Sequence, residues 1–172
     1  MVEKSWKGDT STGATKPMAS LNLEKLIIFK LTVLSNSLSS SAMRLYGRKY
    51  GLRSATEWPI IAALGHQAPL TVMDIVNFTK FEKTRVARAV QRLISVGLIV
   101  TQKDLNDGRQ VLLWLSREGA NLHDKTVPHT MRRNEIISSN LSDGEKHQLE
   151  VLLNKLELEL PSLDDYSDNE EP

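Results

Sequence analysis

A chain of 172 residues has room for one ordinary domain, or for two small subdomains sharing a core, and not for a large multidomain enzyme. Hydrophobic residues at 40% and charged residues at 25% are ordinary for a globular protein, whereas aromatics at 5% argue against a β-sandwich or carbohydrate-binding surface and favour a mainly helical one. With no cysteine there is no disulfide scaffold, thiolate zinc site or cysteine nucleophile, and the net charge of +1 conceals a segment, 80–109, with seven Lys/Arg against three acids, and an acidic tail, 161–172, with five acids and no base.

Residues 1–20 lack hydrophobic periodicity and read as a disordered extension, with neither a secretory signal nor a membrane span, so a cytoplasmic location is expected. From 21 to 50, Leu23, Ile27, Leu31, Leu34, Leu38, Ala42 and Leu45 recur at helical spacing and predict one long helix. Ile28, Val33 and Met43 add apolar surface outside that stripe, more than one small domain covers, which points to a second chain packing there. Ser54-Ala55-Thr56-Glu57 has the form of a capping box opening a second helix that stops at Gly65, with Pro59 in its first turn. Thr71 as N-cap, Asp74 three residues on, and Leu70 placed to staple onto Ile75 announce a short helix ending near Thr79.

Residues 82–96 form the next predicted helix. Val86, Ala89, Val90 and Leu93 fall on one side, and Arg85, Arg88 and Arg92 form a stripe roughly 130° away at 100° per residue. Gly97 closes it, and the period then changes to two. Segments 98–103 and 111–115 are strand-like, separated by a turn containing Asp107-Gly108, so a hairpin is predicted with Arg109 near its tip. Ser116 caps a helix to about Ser138, interrupted or bent at Pro128. Leu141-Ser142-Asp143-Gly144-Glu145 opens a last helix whose Leu149, Leu152, Leu153, Leu156 and Leu160 make a seam ending at Pro161.

The predicted fold is mainly α with a small β-hairpin: a winged helix-turn-helix in 51–115, whose core runs from about Thr71 to Leu115, plus a helical dimerisation region from 21–50 and 116–160. In such an arrangement the second helix of the pair enters the major groove. Lys83 and Arg85, near its leading end, suit base edges, Arg88 and Arg92 suit phosphates, and Thr84 suits either. Thr71 and Lys80 join this DNA-facing set. Arg109 is placed for the narrow minor groove of A·T-rich DNA, with Asp107 expected to hold its guanidinium in a bidentate pair.

The runs Gly97-Leu98-Ile99-Val100, Lys103-Asp104, Asp107-Gly108-Arg109 and Leu113-Trp114-Leu115-Ser116-Arg117-Glu118-Gly119 resemble the wing signature of the MarR family of bacterial regulators. Residues 83–93 resemble that family's recognition helix and Glu57-Trp58 its second helix. The resemblance implies a homodimeric repressor on a pseudo-palindromic operator, released by a small ligand such as an aromatic carboxylate, with Arg44, Tyr46, Tyr50 and Trp58 as candidate pocket residues. Glu82, Lys80 and Ser116 depart from the family pattern: Glu82 is a weaker N-cap, Lys80 replaces a small or Gly residue and adds a phosphate contact, and Ser116 stands for Thr.

No catalytic residue or cofactor is expected, because a phosphate-binding Gly-rich loop, a G-x-S-x-G elbow and H-E-x-x-H are all missing from the sequence. No metal site is expected either: His123 and His129, six apart, point to different helix faces, and His66 and His147 have no neighbouring partner. The alternative to a DNA-binding regulator is a helical module that binds a protein partner through its leucine-rich ends.

Overall fold

A computed structural model describes residues 21–104 and 107–164. The expected extension 1–20 and the tail beyond 164 lie outside the described residues. The elements are a 3-10 turn (Leu23–Lys25), α1 (Ile27–Tyr50), α2 (Glu57–Gln67), α3 (Val72–Thr79), α4 (Lys83–Ser95), β1 (Ile99–Lys103), β2 (Val111–Leu115), α5 (Arg117–Ile137), α6 (Asp143–Leu158) and α7 (Leu160–Asp164). The chain divides into two compact units between Ala55 and Thr56.

In the first unit the helix expected over 21–50 begins later, because Asn22 and Leu23 close a 3-10 turn with Lys25 and Leu26 before α1 starts. Leu31, Leu34 and Leu38 on α1 are exposed. Tyr46 and Tyr50 tilt against each other at 6.5 Å near the C-terminus, where Gly51 ends the helix in the left-handed region.

The second unit has one core. Ile60, Ile61 and Leu64 of α2, Ile75 of α3, Val86, Val90 and Leu93 of α4, Ile99 of β1 and Leu113 of β2 are all buried, each stabilising the unit by about 1.5–3 kcal/mol. Strands β1 and β2 pair antiparallel with Thr101 opposite Leu113. Leu70 adds an isolated bridge to Leu113, with N–H to O distances of 3.3 and 2.9 Å, which fixes the hairpin to the link between α2 and α3.

Local start signals hold at three helices. Thr71 and Asp74 form a reciprocal capping box on α3, as do Ser142 and Glu145 on α6, and Ser116 accepts from the Gly119 amide at 3.0 Å on α5. The box expected at Ser54–Glu57 does not form: Thr56 is the N-cap of α2 and makes no side-chain cap, because its hydroxyl and the Glu57 carboxylate are both engaged by α4. Helix α2 also runs past Gly65 to Gln67; a Cβ at Gly65 would lie 2.4 Å from the His123 ring, so the glycine serves close packing on α5 rather than termination. Helix α5 continues through Pro128, and Pro161, expected as a stop, lies in the first turn of α7, where its missing N–H costs least.

Candidate nucleic-acid interface

The candidate interface is built on α4 and the hairpin. Val86, Ala89, Val90 and Leu93 bury one face of α4 against the core, so the opposite face is offered to solvent. Thr84, Arg88 and Gln91, at i, i+4 and i+7, occupy the centre of that outward face and are exposed. Gln91 was not among the sequence-derived candidates, although its position opposite the apolar stripe was readable from the spacing.

The arginine stripe divides. Arg88 is exposed and, among the described residues, makes no hydrogen bond or ion pair. Arg92, expected at phosphates, donates from Nη1 to Oε2 of Glu57 at 2.8 Å; the Glu57 side chain is 2% exposed and that of Arg92 25%. Arg85 donates from Nε to Oγ1 of Thr56 at 2.6 Å, and its guanidinium lies 4.7 Å from the centre of the Phe81 ring. Two of the three arginines therefore brace α4 on the start of α2.

At the leading end of α4, Glu82 is the N-cap residue without a side-chain cap bond, and the Thr84 hydroxyl donates to its carboxylate. Lys83 is exposed. Lys80 caps α3 in the left-handed region at φ 55°, a conformation that glycine adopts more cheaply. The Thr71 hydroxyl is engaged with Asp74, accepting from its amide at 3.1 Å and donating to Oδ2 at 2.8 Å.

At the hairpin tip Asp107 orients the turn through other atoms than expected. Its Oδ1 accepts from the Arg109 amide at 3.0 Å and its Oδ2 from Gln110 Nε2 at 3.1 Å, while the Gln110 amide returns to the Asp107 carbonyl at 2.8 Å. This is an Asx-type turn that fixes the backbone beneath Arg109 and leaves its guanidinium exposed. Lys80, Lys83, Arg88 and Arg109 thus form an exposed basic set with no ion pair among the described residues, the electrostatic arrangement a polyanion needs.

Of the candidate pocket residues, Arg44, Tyr46 and Tyr50 lie on α1 and Trp58 on α2, in the two different units. The Trp58 ring stacks on His123 at 5.9 Å and 29°. Among the described residues no group of three or more His, Asp or Glu side chains gathers where it could hold a metal ion, and no helix is long and apolar enough to cross a membrane.

Residues 50–110 match the family model described as MarR family. Over 109 residues the chain is 30% identical to the HTH-type transcriptional regulator FarR of Neisseria gonorrhoeae, covering 63% of this chain and 72% of that protein. It is 24% identical over 103 residues to the HTH-type transcriptional repressor NicR of Pseudomonas putida, covering 60% of this chain and 65%, just under two thirds, of that protein. A solved MarR/EmrR family transcriptional regulator from Acinetobacter sp. ADP1 superposes with a TM-score of 0.78 at 25% identity, covering 83% of this chain and 99% of that one.

Proposed function

This chain belongs to the MarR family of DNA-binding transcriptional regulators, and we propose that it acts in the cytoplasm as a homodimeric repressor on a pseudo-palindromic operator, released by a small aromatic acid. The observation that carries the reading is the division of α4 into a buried apolar back and an exposed front bearing Arg88, beside a hairpin with Arg109 at its tip. A helix in the major groove and an arginine on a wing that reaches the neighbouring groove match duplex geometry. Helices in 21–50 and 116–160 supply the dimerisation region, and their exposed leucines support that assignment. Exposed Lys80 and Arg88 hold phosphates, Lys83, Thr84 and Gln91 face the groove, and Thr71 supports the first helix of the pair.

A duplex carrying an inverted repeat, selected from a random pool, tests the reading. Binding in a mobility-shift titration is expected to weaken steeply with salt. Arg88→Ala and Arg109→Ala are each expected to lower affinity. Unchanged affinity in both variants removes α4 and the wing from the interface, and a failure to bind any duplex at low salt leaves the protein-interaction reading in place. Addition of aromatic carboxylates to the bound complex tests release.

A further inference from the structure

The Arg85 side chain is held at two places and open at a third. Its Nε is committed to the hydroxyl of Thr56, a residue wholly withdrawn from solvent at the start of α2, and its Cζ lies 4.7 Å from the centre of the Phe81 ring in the turn between α3 and α4. Among the described residues the terminal Nη1 and Nη2 groups have no partner, and the residue as a whole is exposed. A clip at Nε together with an aromatic ring packed against the guanidinium fixes its direction and limits its swing. What remains is one edge with parallel N–H donors, carried on the third residue of α4, in the leading turn that meets base edges when a recognition helix enters the groove.

Guanine alone presents two adjacent acceptors, O6 and N7, on its major-groove edge; adenine pairs an acceptor with a donor, and cytosine offers a donor. A preset pair of donors therefore favours guanine and leaves an N–H facing an N–H at adenine. Arg88, with no such clip, is free to follow the phosphates, and Arg92 is spent on Glu57.

We propose that Arg85 is the guanine-reading residue of this interface, with Thr56 and Phe81 as the positioning residues that preset it; the inference rests on α4 being the recognition helix. Selection from a random duplex pool with the full-length wild type, Arg85→Gln, Arg85→Ala, Thr56→Val and Arg88→Ala tests it, with circular dichroism melts confirming that each variant is folded. The wild type is expected to recover a half-site with one position fixed as guanine. Arg85→Gln and Arg85→Ala lose guanine at that position alone, with affinity for the wild-type site falling roughly 5- to 150-fold. Thr56→Val, which keeps every charge, erodes the same position and no other, an effect that general loosening of the fold does not produce. Arg88→Ala weakens binding across sequences and retains the guanine. Recovery of the same guanine-bearing half-site by both Arg85 variants overturns the proposal while the regulator reading stands; recovery of no consensus by the wild type overturns the regulator reading itself.

Discussion

Arg92 and Arg88 are four residues apart on α4, carry the same side chain, and do different things. Glu57 is buried, so removing Arg92 leaves a carboxylate in a dry place with one donor fewer. Arg92→Ala is expected to lower the unfolding free energy by roughly 3 kcal/mol, the low end for a broken buried pair because the guanidinium is partly exposed, as read from urea unfolding. Its salt dependence of DNA binding should stay that of the wild type, whereas Arg88→Ala should leave stability alone and reduce the slope of log K against log salt by about 1. A shallower slope in Arg92→Ala returns that residue to the phosphates. The basic stripe was legible in the sequence as a stripe; its division was not, because the partners Thr56 and Glu57 are 29 and 35 residues away from Arg85 and Arg92 and the same two residues also fit a local cap. The outward position of Gln91 follows from the same periodicity that buries Val86, Ala89, Val90 and Leu93.

Caps and strand periodicity were legible at the level of elements, since both depend on residues within a few positions of each other. The strands fall at 99–103 and 111–115 against an expected 98–103 and 111–115, and Thr71, Ser116 and Ser142 cap as their side chains require. What local patterns could not supply were close approaches between elements: the bridge from Leu70 to Leu113, and the contact of Gly119 with the end of β1's approach. A Cβ on Gly119 would stand 2.0 Å from the Leu98 carbonyl oxygen, backbone that cannot yield without moving the hairpin. Gly119→Ala is therefore expected to cost about 2–4 kcal/mol in thermal or urea unfolding; a wild-type melting curve would show that the α5 start can shift freely. On α6, hydrogen bonds from the Ser142 hydroxyl and amide hold the Glu145 carboxyl below its usual range. Because the folded pKa is the lower one, this cap stabilises α6 above the ordinary glutamate range and is lost as pH falls through the depressed folded value. An NMR titration should find Glu145 depressed in the wild type and returned toward the ordinary range in Ser142→Ala; identical titrations would remove the cap from the account.

Across the whole molecule, hydrophobic residues that one chain leaves in water concentrate on its helical ends. Leu31, Leu34 and Leu38 on α1, and Leu149, Leu152 and Leu156 on α6, are more than a third exposed, more apolar surface than a monomer normally shows. Leu152→Glu combined with Leu156→Glu is expected to shift the protein from dimer to monomer in sedimentation velocity and to abolish binding to the full inverted repeat; a dimer that persists unchanged locates the interface elsewhere. The hydroxyl of Ser116 gives this assembly a mechanical property. It donates to the Gly97 carbonyl at 2.6 Å and accepts from the Gly119 amide at 3.0 Å, tying the exit of α4 to the entry of α5. Helix α4 and the 21-residue α5 are thereby joined at one knot. At 1.5 Å per residue α5 is a lever about 31 Å long, so a tilt of about 10° pivoting at its far end would carry α4 about 5 Å, more than the roughly 3.4 Å between base pairs. A displacement of that size moves α4 as a rigid piece, with neither helix deformed.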